Sequence, residues 1–120
     1  MATTTVTRDN FEETVSSNEI VLVDFWAPWC GPCRQFGPVF EKVSEANPDI
    51  VFAKVNTEEQ PELAGEFSIM SIPTLMAFRN GIILYAQPGA LPQGSLEELV
   101  QKVREVDMQE VEQAMVNAKD

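Results

Sequence analysis

The sequence holds two cysteines, three positions apart in the stretch Trp29-Cys30-Gly31-Pro32-Cys33. A thiolate is a nucleophile and a metal ligand, so such a pair could exchange disulfides, staple a loop or supply half of a metal site. The surroundings favour exchange. Ile20 to Trp26 is a nearly continuous apolar run of strand length, and a helical pattern begins at about Gly31. A helix amino terminus presents unpaired N–H groups and the positive end of the helix dipole. Both stabilise negative charge on Cys30, which makes it the attacking nucleophile with a lowered pKa. Residues three apart on a helix are neighbours, so Cys33 comes back beside Cys30 and can close a disulfide within one turn. Shielded by the helix, Cys33 is the resolving thiol. Pro32 suits the first turn, where a missing N–H costs nothing.

Composition narrows the alternatives. The chain has no histidine, which excludes Ser-His-Asp and Cys-His catalysis and His-ligated metals. With no second cysteine pair, a zinc or iron–sulfur site would need two chains pooling their thiolates. A formal net charge of −11 makes nucleic acid and anionic membrane surfaces poor partners and favours basic patches on other proteins. Met1 to Arg8 holds no apolar core of signal-peptide length. The Ile20–Trp26 run, interrupted by Asp24, is far too short to span a bilayer. The expectation is a soluble, cytoplasmic monomer. In that compartment a cysteine pair is seldom a structural staple.

The elements that must position the pair are legible in outline. The 120 residues, 44% hydrophobic and 22% charged, suit one globular domain over 1–120. Thr3 to Val6 reads as a first strand. Thr7 or Asp9 caps a helix in which Phe11 and Val15 share a face. Ile20 to Trp26 reads as a strand buried on both faces. A helix from Gly31 to Ala46 carries the stripe Phe36, Val39, Phe40 and Val43, with a kink expected at Pro38. Ile50 to Val55 is a strand and Pro61 to Phe67 a short helix. Thr74 to Phe78 and Ile82 to Ala86 flank Asn80-Gly81, a hairpin signal because both turn positions need positive φ. Ser95-Leu-Glu-Glu98 reads as a capping box opening a last helix that buries Leu96, Leu99, Val100 and Val103. The order β-α-β-α-β-α-β-β-α predicts an α/β fold of three layers, a five-stranded mixed sheet with helices on both faces.

Val23-Asp-Phe-Trp-Ala-Pro-Trp-Cys-Gly-Pro-Cys33 resembles the active-site stretch of the thioredoxin family. Ala53-Lys54-Val55-Asn56, Ile72-Pro73-Thr74 before the hairpin, and Pro88-Gly89-Ala90 match as well. The likeness covers roughly residues 4–104 and leaves 105–120 as an extended last helix or a tail. It implies a thioredoxin fold and reduction of protein disulfides through a mixed disulfide. It also implies recharging by thioredoxin reductase with electrons from NADPH, no bound cofactor, and a role in cytoplasmic redox homeostasis. Gly31-Pro32 is the pair seen in reducing members. Oxidising members and isomerases usually carry a histidine there, which stabilises their reduced state.

The resemblance assigns further roles. Asp24, a carboxyl in an apolar strand, matches the family's buried aspartate, which moves a proton to or from the resolving cysteine. Burial should raise its pKa. A purely structural carboxylate is the competing account. By family position Lys54 approaches Asp24, though a lysine that buries its stem and wets its amine explains the residue nearly as well. Pro73 is expected cis after Ile72, against the ordinary trans preference. Trp29, Ile72, Pro73, Gly89 and Ala90 should rim Cys30 as an apolar patch for extended substrate segments. Trp26 reads as core, Met70 and Ser71 as residues that tune partner choice, and Pro88 as the loss of one strand hydrogen bond. A binding module with incidental cysteines and a cluster-binding dimer are the rival functions.

Overall fold

In the computed structural model, which describes residues 2–118, the chain runs through β1 (Thr3–Thr5), α1 (Arg8–Ser16), β2 (Ile20–Trp26), α2 (Gly31–Ala46) and β3 (Val51–Asn56). It continues through α3 (Pro61–Glu66), β4 (Thr74–Arg79), β5 (Ile82–Pro88), α4 (Gln93–Glu105) and α5 (Met108–Ala118). The strands form one mixed sheet in the order β1-β3-β2-β4-β5. β1 and β2 both run parallel to β3, while β4 is antiparallel to β2 and to β5.

β2 explains the layering. Successive side chains of a strand point to opposite faces, and here both faces are covered. Val21, Val23 and Phe25 join Phe11 and Val15 of α1 and Leu63 of α3 in one core. Ile20 and Leu22 join Phe36, Phe40 and Val43 of α2 and Leu96, Val100 and Val103 of α4 in the other. The next position on that second face is Asp24, so a carboxyl stands where the alternation calls for an apolar group. The Asn80-Gly81 turn has φ of 53° and 78°, the left-handed pair that lets two antiparallel strands meet in a two-residue loop.

Several expected details differ. The last helix opens at Gln93, before the Ser95 box: the Leu96 amide donates to the Pro92 carbonyl at 3.0 Å, with Pro92 as the extended cap. Leu91 packs against the core just ahead of it, which draws the chain into helix early. The C-terminal extension is helical but does not prolong α4. Val106 leaves the helix with φ −62° and ψ 132°, and Asp107 restarts it by accepting the Gln109 and Glu110 amides at 3.0 and 3.3 Å. The Arg79 guanidinium covers the break, donating to the carbonyls of Val103, Arg104 and Val106 at 2.9, 3.1 and 2.7 Å. Met1, Lys119 and Asp120, parts of the expected terminal segments, lie outside the described residues. Pro38 sits within α2, which remains one element through it.

Candidate active site

The end of β2 and the start of α2 build the site. The Cys30 amide donates to the Ala27 carbonyl at 3.2 Å, closing a tight turn. Cys30 then stands as the extended cap of α2, with φ −85° and ψ 117°, and its Sγ accepts the Cys33 amide at 3.2 Å. The Arg34 amide donates to the Cys30 carbonyl at 3.1 Å as the first helical bond. Cys30 therefore occupies the place where a capping oxygen usually satisfies an orphan N–H. The two sulfurs are joined in a disulfide across a Cα–Cα distance of 5.2 Å. Neither cysteine is open: Cys30 is 5% exposed and Cys33 4%. Gly31 and Pro32 between them are exposed.

A second loop closes over the pair. The peptide bond between Ile72 and Pro73 is cis, and the Ile72 carbonyl oxygen lies 3.6 Å from Cys30 Sγ. The Pro73 carbonyl accepts the Gly89 amide at 2.8 Å. Gly89 has φ 114°, in the region that favours glycine. Ile72 and Trp26 pack with Ala27, Cys30 and Cys33 in a small apolar cluster of their own. Trp26 is only partly buried, a wall of this cluster and not a core residue. Of the expected rim, Trp29, Gly89 and Ala90 are exposed and Ile72 is half-buried, but the Pro73 ring is buried. Trp29 is 64% exposed, and its indole N–H donates to the Glu58 carboxylate.

Asp24 lies on the face covered by α2, opposite Lys54 of β3 and Leu75 of β4. It is 1% exposed, and neither carboxylate oxygen has a hydrogen-bond partner among the described residues. Burial pushes its pKa up to about 7, with the Lys54 charge pulling part of the way back. Lys54 does not close on the carboxylate: its Nζ sits 4.9 Å from the centre of the Trp26 ring. A cation over an indole face is held by the ring quadrupole. Nζ also lies beside Gly37 of α2, at an ordinary contact distance of 3.7 Å from where a Cβ would stand. Trp26, Cys33, Gly37 and Lys54 line an open cleft of about 330 Å³, which gives water a path toward the Cys33 sulfur. Gly37 and Glu58 escape a sequence reading. A glycine in a helix and a glutamate in an acidic loop carry no sign of the side chains they meet.

The arrangement fits two-electron chemistry at sulfur: an N-cap cysteine, a partner cysteine one turn on, and a buried carboxyl that titrates near neutrality. Among the described residues no group of three or more Cys, Asp or Glu is placed to hold a metal ion. No described helix is long and apolar enough to cross a membrane.

Known proteins show the same pattern. The Thioredoxin family model matches residues 2–114. The chain is 57% identical over 114 residues to the protein named "Putative thioredoxin 2" of Streptomyces coelicolor, covering 95% of this chain and 85% of that one. It is 46% identical over 97 residues to a thioredoxin of Alicyclobacillus acidocaldarius, covering 80% and 92% respectively. Among solved structures, a mutant thioredoxin from Halobacterium salinarum superposes with a TM-score of 0.79 at 30% identity, over 88% of this chain and 92% of that one.

Proposed function

Since the chain belongs to the thioredoxin family and is a thiol–disulfide oxidoreductase with protein-disulfide reductase activity, we propose that it works as a cytoplasmic reductant recharged by thioredoxin reductase. Electrons would come from NADPH through that reductase, with no cofactor bound to this chain. The observation that carries the reading is the Cys30–Cys33 disulfide at the mouth of α2, with the Cys33 amide on Cys30 Sγ at 3.2 Å.

The reaction starts from the reduced pair. The Cys30 thiolate, steadied by the helix end, attacks one sulfur of a substrate disulfide. A Cys30–substrate disulfide forms and the other substrate sulfur leaves as a thiolate. The Asp24 carboxylate takes the Cys33 thiol proton, through water in the cleft. The Cys33 thiolate attacks Cys30 Sγ, and the second substrate sulfur departs. Two electrons have passed to the substrate and the Cys30–Cys33 disulfide remains. The neighbouring Ile72 backbone supports an extended substrate strand laid beside Cys30, with Trp29, Gly89 and Ala90 as the exposed rim and Pro73 beneath. Lys54 tunes Asp24, while Gly31 and Pro32 set the geometry of the turn. The excess of acid over base in the chain supports protein partners with basic surfaces, with neither nucleic acid nor membrane among them, and a monomeric working form.

The test is reduction of insulin with dithiothreitol as electron source, followed with NADPH and a thioredoxin reductase. The intact chain should precipitate the insulin chains rapidly and consume NADPH in the second assay, and Cys30→Ser should do neither. Failure of the intact chain to outpace dithiothreitol alone would refute the proposal.

A further inference from the structure

Two large apolar side chains stand exposed near the disulfide. Trp29 is one. Met70, two residues ahead of Ile72, is 94% exposed. Its exposure is built into the backbone. α3 ends with Ser68 in the left-handed region at φ 53°, and the Ser68 and Ile69 amides return to the Gly65 and Ala64 carbonyls at 3.1 and 3.0 Å. These two bonds make a Schellman turn. On the other side, the Thr74 hydroxyl donates to the Ser71 carbonyl at 2.5 Å and the Gly89 amide to Pro73. The segment from 68 to 73 is thus tied at both ends. Beside it runs a groove of about 270 Å³, walled by Phe67, Ile69, Met70, Met76, Ala86 and Pro88.

We propose that this groove, with Met70 as its flexible wall, receives an apolar side chain of the polypeptide whose disulfide Cys30 attacks. The inference rests on the reductase reading and adds a preference to it. Continuity argues for that occupant. The groove shares Ser71 and Thr74 with the loop whose Ile72 carbonyl lies 3.6 Å from Cys30 Sγ. Met70 stands two residues ahead of Ile72, so a strand that follows this loop toward its amino end reaches the groove. A thioether on three rotatable bonds adapts to side chains of different shape, so the preference is for apolar character and not for one residue.

The test uses two synthetic peptides, each with one intramolecular disulfide, differing only in Leu or Asp two positions from the attacked cysteine. A low-molecular-weight aromatic disulfide, too small to reach the groove, serves as the control substrate. The chain should favour the Leu peptide about tenfold in kcat/KM, mainly through KM. Met70→Asp should abolish the preference and leave the aromatic disulfide unaffected, and Met70→Leu should retain it. Equal use of the two peptides by the intact chain, or an unchanged preference in Met70→Asp, overturns the inference while the reductase reading stands. If the intact chain reduces none of the three substrates, both readings fall. Should Met70→Asp convert a dimer to a monomer without altering peptide preference, a second copy is the occupant and the inference is overturned.

Discussion

Asp24 and Lys54 face each other across paired strands, yet the amine lies over the Trp26 ring and the carboxylate oxygens stay unpartnered among the described residues. The lysine moderates the buried charge from a distance without neutralising it. This leaves Asp24 titrating at about 7 in place of its ordinary 3.8, which has consequences for stability and for rate.

The stability consequence has a definite sign. Between 3.8 and about 7 the folded chain holds a proton that the unfolded chain has lost, so stability falls as pH rises through that window and is level above it. At about 1.4 kcal/mol per unit, the ionised carboxylate costs roughly 4 kcal/mol at pH 8. Asp24→Asn copies the neutral form. Urea unfolding of the oxidised proteins should show near-equal stability at pH 4 and an Asn variant several kcal/mol more stable at pH 8. A constant difference across pH would disprove the titration.

The rate consequence concerns the second exchange step. Release of substrate from the Cys30 mixed disulfide, followed by rapid quench, should rise with pH around a midpoint near 7. Asp24→Asn should flatten that rise and slow release about a hundredfold at pH 8. Lys54→Met removes the cation that lowers the Asp24 pKa, so its midpoint should move up. A midpoint that moves down in Lys54→Met would contradict the arrangement.

Arg79 should be a stability hotspot far from the disulfide. Its side chain is 16% exposed and feeds three carbonyls at the α4–α5 break. Arg79→Leu should lose about 2–4 kcal/mol, with amide exchange in α5 accelerating first. Disulfide reduction should be unchanged in this variant.

At Ser68 the prediction runs the other way. A left-handed residue costs about 1–2 kcal/mol unless it is glycine, whose extra chain entropy costs about 0.5–1. Ser68→Gly should therefore raise stability by roughly 0.5–1 kcal/mol, visible as a higher thermal midpoint. A lower midpoint would mean that the serine side chain contributes more than its conformation costs.

The parts legible in the sequence were those written in local patterns. A nearly continuous apolar run marked β2, the Asn80-Gly81 pair marked the hairpin, and the spacing of Cys30 and Cys33 at a strand–helix junction marked the site. What escaped depends on partners distant in the chain. Gly37 lines the cleft beside Lys54, which arrives from β3, and the Glu58 carboxylate meets Trp29, which arrives from another loop. The α4–α5 break could have been suspected from Asp107 and Glu110, an acid followed three residues later by Glu. The cap that makes it possible is an arginine on β4. Ser95 and Glu98 carry the same signature and were overruled, since packing of Leu91 starts the helix sooner. Pro73 in the cis state contradicts the local preference and came only from the family likeness.

The small cluster of Ala27, Cys30 and Cys33 stands apart from the two cores that flank the sheet. In engineering terms the protein is a chassis with a separate head. Gly31 is exposed, and a side chain added there meets nothing within 4 Å. A side chain can therefore be placed at Gly31, between the cysteines, without a clash with the chassis that carries the disulfide.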